Sequence, residues 1–312
     1  MGQTWGAYSS LINVNELTEY VRHAAQEMMG YVQLCNPPTG GALGRGKGDT
    51  VQYTYYPNVS VAGGELDESE EIPETSVTPV KDTYTVKEYG NAIKWTGKLE
   101  DLSKLDTESD FIKALVDDLR KLENSLAFAQ FEDTDWFFVP NSSADEFDTD
   151  GAPSSTANDT FDHPKLRALA KKGEKNLIPK FDGEDYVFVT GVDNIDNIVY
   201  DSTVTSALAA SGSGRSALNG EVGRLAGCRL VKDNHMATFI GESAATTLAC
   251  DKGHLVGADA VLRETALAPE LRAQDKDFGR SVSVAYYFMG AFKKILDQTT
   301  HGKEHIIRIA SA

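Results

Sequence analysis

The sequence predicts a mixed α+β chain, and three observations carry that expectation. Residues 107–133 form an unbroken amphipathic helical pattern. Two strand-like runs with a period of two flank a long acidic segment, 57–79. The other helical and strand-like segments follow one another in no regular βαβ alternation, which favours α+β over α/β architecture. No internal repeat recurs at a fixed period.

The elements can be justified in order. "NVNELTEYVRHAAQEMMGYVQ" sets Leu17, Val21, Ala24 and Met28 on one helical side, with Asn13 or Asn15 as cap. "NPPTGGALGRGKGD" then interrupts regular structure. In "VQYTYY", Val51, Tyr53 and Tyr55 alternate with Gln52 and Thr54, the period of a half-buried strand. On the return, Tyr84 and Val86 share one parity, whereas Tyr89, Ile93 and Trp95 share the other. A β-bulge would give such a phase shift. In the long helix Thr107 is the expected cap, with Asp110 three residues on. Its apolar stripe is Phe111, Leu115, Leu119, Leu122 and Leu126. At 1.5 Å per residue it is on the order of 35 Å long, enough to span a domain.

Residues 134–160 read as a loop or insertion. "FDHPKLRALAKKGEKN" is a second helix, with Asp162 as cap and Pro164 near the first turn. "EDYVFVTG" reads as a buried strand, "DNIDNIVYDSTVTSALAA" as a helix with a weak centre, "SGSGRSALNGE" as a loop and "AGCRLVKD" as a short strand. "DKGHLVGADAVLRE" fits no single template, and "GRSVSVAYYFMGAFKKILD" and "EHIIRIAS" read as closing strands.

A length of 312 residues predicts about two domains. Hydrophobic content of 41% and charged content of 25% are those of a folded soluble protein. The net charge of −17 argues against a protein whose main work is gripping phosphate backbones, and against an anionic membrane surface. The acid is concentrated. Six acids and no base lie between Gly64 and Glu74, and seven acids with no Lys or Arg lie between Glu132 and Asp150. From Arg263 onward bases outnumber acids, eight to six. Each acidic run is either a solvated loop or a face that meets a neighbour's basic surface. Cys35, Cys228 and Cys250 form no pair at a metal or redox spacing, which suits a reducing compartment. No secretory signal and no membrane-length apolar run is visible. The expectation is a soluble chain that acts, or starts, inside a cell.

Several motifs come close to catalytic or ligand-binding signatures and fail on chemistry. "GALGRGKG", Gly41 to Gly48, puts glycine where a phosphate loop needs the Ser or Thr that holds magnesium. It also follows a helix and opens a strand, the reverse of that loop's context. "HGKEH", His301 to His305, matches a zinc-protease spacing, but Gly302 and the strand-like "IIRIA" oppose the helix it needs. "EFDTDG" begins like a calcium loop, yet its twelfth position is Ala157 instead of Glu. "SGSGRSALNG" lacks the third glycine of a dinucleotide fingerprint. No cofactor is expected, and no Ser/His/Asp or Cys/His grouping is visible, though such groupings assemble in space.

Four stretches, in this order, carry a family resemblance: "GKGDTVQYTYY", "VKEYGNAIKWTGKLEDLSKLD", "LNGEVGRLAGCRLVKDN" and "FGRSVSVAYYFMGAFKKIL" before "HIIRIAS". The chain resembles a tailed-phage major capsid protein of the Hong Kong 97 (Johnson) fold, and in particular those of phages similar to N-four. Residues 131–159 depart from that pattern and are expected to be an insertion. The resemblance implies an N-terminal arm (1–48), an extended β-hairpin loop (49–97), a peripheral domain with a spine helix (98–184), an axial domain (185–268), and strands returning to the peripheral domain (269–312). It implies no catalytic step. It also implies self-assembly as pentamers and hexamers into an icosahedral shell around double-stranded DNA, with portal, scaffold or decoration proteins as further partners and no membrane. The location implied is the virion, assembled in the host cytoplasm.

In that setting the long acidic segment acquires a purpose. A structureless loop of roughly twenty residues is unusual within a compact domain, and a lone hairpin is marginal in water. A hairpin lying across a neighbouring subunit would be ordered by it. The acids Glu65, Asp67, Glu68, Glu70, Glu71 and Glu74 would then face bases next door, for which the spine helix offers Lys113, Arg120 and Lys121. The alternative is a mobile solvated tip. Rival functions are a bacterial nanocompartment shell, a metal-dependent hydrolase using the acidic loops with His301 and His305, and a tail or decoration protein.

Overall fold

A computed structural model describes residues 29–36, 48–56, 74–103, 107–140, 147–148, 160–181, 183–201, 223–235, 238–240, 249–278 and 280–311, with residues 65, 72 and 204. Most of the predicted N-terminal helix lies outside these. Its described end is a 3-10 turn at Tyr31–Leu34. Strand β1 (Thr50–Tyr55) pairs with β2 (Val80–Thr85) as an antiparallel ribbon, Thr50 opposite Thr85 and Tyr55 opposite Val80. One residue later β3 (Lys87–Thr96) begins, followed by the short helix α1 (Gly97–Leu102) and the long helix α2 (Thr107–Glu132). The expected cap at Thr107 is helical backbone, and its side chain lies outside the described residues. Next come β4 (Phe137–Pro140), β5 (Phe147–Asp148), α3 (His163–Lys175), β6 (Tyr186–Thr190) and α4 (Val192–Val199). Then follow β7 (Arg224–Leu225), β8 (Cys228–Lys232), β9 (Thr238–Ile240), β10 (Ala249–Val256), β11 (Val261–Lys276), β12 (Ser281–Lys294), α5 (Gln298–His301) and β13 (Ile306–Ser311).

Asp162 caps α3 as its sequence predicts, accepting from the Lys165 amide at 3.1 Å, with Pro164 in the first turn. The strands form three sheets. The ribbon β1–β2 stands apart, an eight-stranded mixed sheet runs β5-β4-β13-β10-β6-β8-β7 with β9 beside β10, and a three-stranded sheet runs β11-β12-β3. Strand β6 is buried at every position, as a central strand covered on both faces must be. Tyr186 and Phe188 point toward Leu166 and Leu169 of α3 and Ile198 of α4. Val187 and Val189 point the other way, toward Tyr31, Phe128 and Phe131. Helix α2 therefore lies on one side of the large sheet and α3 on the other. The stripe of α2 meets the three-stranded sheet in a third core, where Trp95, Leu99, Leu115, Val284, Tyr286 and Phe288 are buried.

Three expectations change. The phase shift at Val86 is not a bulge: β2 pairs with β1 and β3 pairs with β12, so the chain changes sheets there. The register shifts occur instead in β11, between Thr265 and Glu270. The presumed loop 134–160 contributes β4 and β5 to the edge of the large sheet. Strand β13 sits in the large sheet between β10 and β4. Its isoleucines and alanine are apolar at both parities, and only a strand covered on both faces buries them all. "DKGHLVGADAVLRE" showed no single period because it is two strands, β10 and β11, joined by a turn at residues 257–260.

Candidate assembly surfaces

The ribbon packs one face on its own body. Val51, Tyr53 and Tyr55 are half-buried and Tyr84 is buried, while the alternate residues are exposed. The Tyr53 hydroxyl lies 2.8 Å from Asp82 Oδ2 and 2.9 Å from the carbonyl of Ile295. Tyr84 reaches Glu264 of β11, and Tyr55 meets the His301 ring edge-on at 5.5 Å. Burial, with Glu264 alongside, pushes the Tyr84 phenol up to about 12. Burial alone would raise Asp82, but bonds from Tyr53 and the Thr83 amide, with Lys293 nearby, hold it below the usual carboxylate range. The expectation that a neighbour orders the whole hairpin is therefore corrected at its root: three tyrosines tie that root to the same chain.

The ribbon's outer connection keeps its open character where it is described. Glu65 and Glu74 are exposed, as are Tyr56, Ile72 and Val77. Asp67, Glu68, Glu70 and Glu71 lie outside the described residues. On α2, Lys113 pairs with Asp110 at 3.5 Å and Lys121 with Asp117 at 3.2 Å, one turn away in each case. Arg120 is exposed and makes no ion pair among the described residues. Two of the three bases expected to receive the acids are thus already matched along their own helix.

A long exposed edge was not foreseen. Strands β11 and β12 form a long hairpin in which β12 stays paired with β3 over the α2 core, while β11 is exposed from residue 268 to 276. It is an edge strand, and Pro269 with Glu270, Arg272, Asp275 and Lys276 discourages unwanted strand pairing there. At the tip, Asp277 and Phe278 both take positive φ, 54°, and Phe278 is fully exposed. Asp277 tolerates that backbone, but Phe278 stands where a hairpin signal such as Asp-Gly would place glycine, so the sequence did not announce the turn.

Buried polar groups hold the body rather than perform chemistry. Tyr31 bonds His254 Nδ1 at 2.9 Å, and His254 Nε2 faces Glu132 Oε1 at 3.3 Å. Lys252 and Arg308 hold Glu132 Oε2 at 3.0 and 3.1 Å. Burial would raise Glu132, but His254 and Lys252 bring its carboxyl down to about 2. Burial lowers His254 despite that carboxylate. Hydroxyl, imidazole and carboxylate stand in a row, yet His254 is 0% exposed, so no substrate reaches it. Glu132, first in the acidic run expected to be a solvated loop or a face for a neighbour's bases, is therefore an internal clasp. These contacts join residues up to 223 positions apart, and no local pattern could announce them.

His301 ends α5 against Tyr55, and His305 lies 2.8 Å from the carbonyl of Ala258. Among the described residues no group of three or more His, Cys, Asp or Glu could hold a metal ion, and nothing there supports a metal-dependent hydrolase. Among them, too, no helix is long and apolar enough to cross a membrane.

No protein-family model matches the chain, and no curated protein does. Solved structures do match. The capsid structure of cyanophage P-SCSP1u superposes with a TM-score of 0.70 at 14% identity, covering 97% of this chain and 94% of that one. A structure from Mycobacterium phage Che8 gives 0.68 at 12% identity over 95% and 97%. The capsid of Ralstonia phage GP4 gives 0.65 at 15% identity over 96% and 95%. The chain has the α+β fold of tailed-phage capsid chains, the Hong Kong 97 type, along nearly its whole length.

Proposed function

We propose that this chain is the major subunit of a phage shell, self-assembling as pentamers and hexamers around double-stranded DNA. The observation that carries this reading is the fold likeness, which spans almost all of both chains. The ribbon's outer connection and the exposed edge of β11 are surfaces open to a neighbour, and identical head-to-tail contacts through such surfaces close rings and shells. Assembly is driven by apolar burial between subunits and guided by charge. The division into arm, extended loop, peripheral and axial parts belongs to the same proposal, as do the absence of a catalytic step, portal, scaffold or decoration partners, and a place in the virion.

The test is sedimentation and negative-stain imaging of the purified full-length chain, with nucleic acid and protein contents measured. Closed shells or rings of five and six are expected. A protein that stays monomeric over a wide range of salt and concentration refutes the reading. Shells packed with a cargo enzyme in place of DNA would assign it to a nanocompartment.

A further inference from the structure

Helix α3 carries a basic stripe in a strongly acidic protein. Arg167, Lys171 and Lys175 recur every four residues and are all exposed, and none makes an ion pair among the described residues. Lys172, by contrast, turns inward and stacks over the Phe138 ring at 4.0 Å. Lys175 in the last turn has a local reason, since bases there complement the helix dipole. Arg167 and Lys171 stand before that turn and have no such reason. Beside them lies an open cleft of about 410 Å3, lined by Arg167, Ala168, Ala170, Lys171, Glu174 and Ala226. Its one acid, Glu174, is already paired with Lys180 at 2.6 Å.

We propose that this stripe and cleft receive the acidic segment 65–74 of a neighbouring copy of the chain. The inference rests on the shell reading and names the surface that takes the ribbon's outer connection. Charge complementarity carries it: six acids without a base meet three cations that make no ion pair among the described residues. Spacing agrees. In an extended segment Glu68, Glu70, Ile72 and Glu74 share one side at roughly 6–7 Å intervals, and residues four apart on a helix recur at about 6 Å. Ile72, 73% exposed at its own site, is an apolar side chain that an alanine-lined cleft accommodates. The ribbon is rooted on β11, whose first residue Val261 packs on the α2 side of the large sheet, whereas α3 covers the opposite face. A second copy presents the acids to α3 without wrapping the chain around its own sheet.

The experiment uses the full-length protein in three forms: R167E/K171E/K175E, E68K/E70K/E74K, and the two combined. Each reversal alone is expected to raise the protein concentration needed for assembly by roughly tenfold or more, and the combination to recover most of it. Unchanged circular dichroism and Tm will show that the α3 variant folds, since the replaced side chains are exposed. In a second arm, chains with only Glu70→Cys are mixed with chains with only Lys171→Cys, and oxidation should give a disulfide-linked heterodimer. The proposal is overturned if the α3 reversal assembles like the wild type, or if the combination gives no recovery and no heterodimer forms. In either case wild-type shells would leave the shell reading standing. Short duplex DNA that binds the wild type and not the α3 reversal, with assembly unaffected, would make the stripe a nucleic-acid surface and also overturn the proposal. A wild type that never assembles refutes the shell reading itself, and the cysteine pair still decides the docking.

Discussion

Replacing Lys294 with methionine should be among the most damaging single changes outside the apolar core. Lys294 is 5% exposed and its partner Glu304 1%. The ammonium bonds Glu304 Oε1 at 2.9 Å and also the carbonyl of Asp133. Methionine keeps the aliphatic stem packed and removes only the charge. Glu304 is then left buried with the Asp135 amide, 3.2 Å from Oε2, and without its counter-ion. Breaking a buried pair in this way costs about 3–5 kcal/mol, whereas an exposed pair such as Arg280–Asp277 is worth about 0–1 kcal/mol. The assay is denaturant unfolding of unassembled subunits. Lys294→Met/Glu304→Gln should regain about 2 kcal/mol or more, because no charge is then stranded. The pH dependence has a definite sign. Burial pushes the Glu304 carboxyl up, and Lys294 pulls it part of the way back. Without Lys294 it rises further, so the folded variant binds a proton that the unfolded chain does not. Its deficit should be largest near about pH 8 and shrink toward about pH 5. A loss under about 1 kcal/mol, or a double variant no better than the single one, would refute the reasoning.

Gly257→Ala should destabilise by about 1–3 kcal/mol, since the new Cβ would meet Ile178 Cγ2 and stand 2.7 Å from the backbone carbonyl of Pro179; thermal unfolding measures this, and an unchanged Tm would count against the packing. Wild-type stability should fall as the pH drops below about 6.5, because burial holds the His254 and His305 rings neutral while the unfolded chain takes up protons. His254→Gln should make that decline shallower in denaturant titrations at successive pH values, and an identical slope would show that His254 contributes nothing to it.

The parts legible in the sequence were those with a local period. Helix α2 announced itself through Phe111, Leu115, Leu119, Leu122 and Leu126, and α3 through its Asp162 cap. The ribbon strands showed in the alternating tyrosines. What was not legible depends on partners far along the chain. Val86 reads as a bulge because parity records a phase change and not the sheet to which the next strand belongs. Strand β13 could be recognised as a strand, but its neighbours β10 and β4 are set by which faces remain to be covered. Of the candidate contact residues, Lys113 and Lys121 have acids one turn away on their own helix, at positions 110 and 117, a spacing visible in the sequence. The stripe at 167, 171 and 175 repeats at a four-residue step, but only burial separates its exposed bases from the inward Lys172.

The change of sheets at Val86 has a mechanical meaning. The ribbon and the β3–β12 ladder are joined there by a single residue that belongs to neither ladder, although its amide still holds the Asp49 carbonyl at 2.8 Å. Tilting one relative to the other asks for a turn about two backbone bonds and the loosening of that contact and of those that Tyr53, Tyr55 and Tyr84 make with the body, while every rung on either side stays intact. The joint thus separates the two ladders' internal bonding from the ribbon's anchorage, which rests on side chains alone apart from that amide.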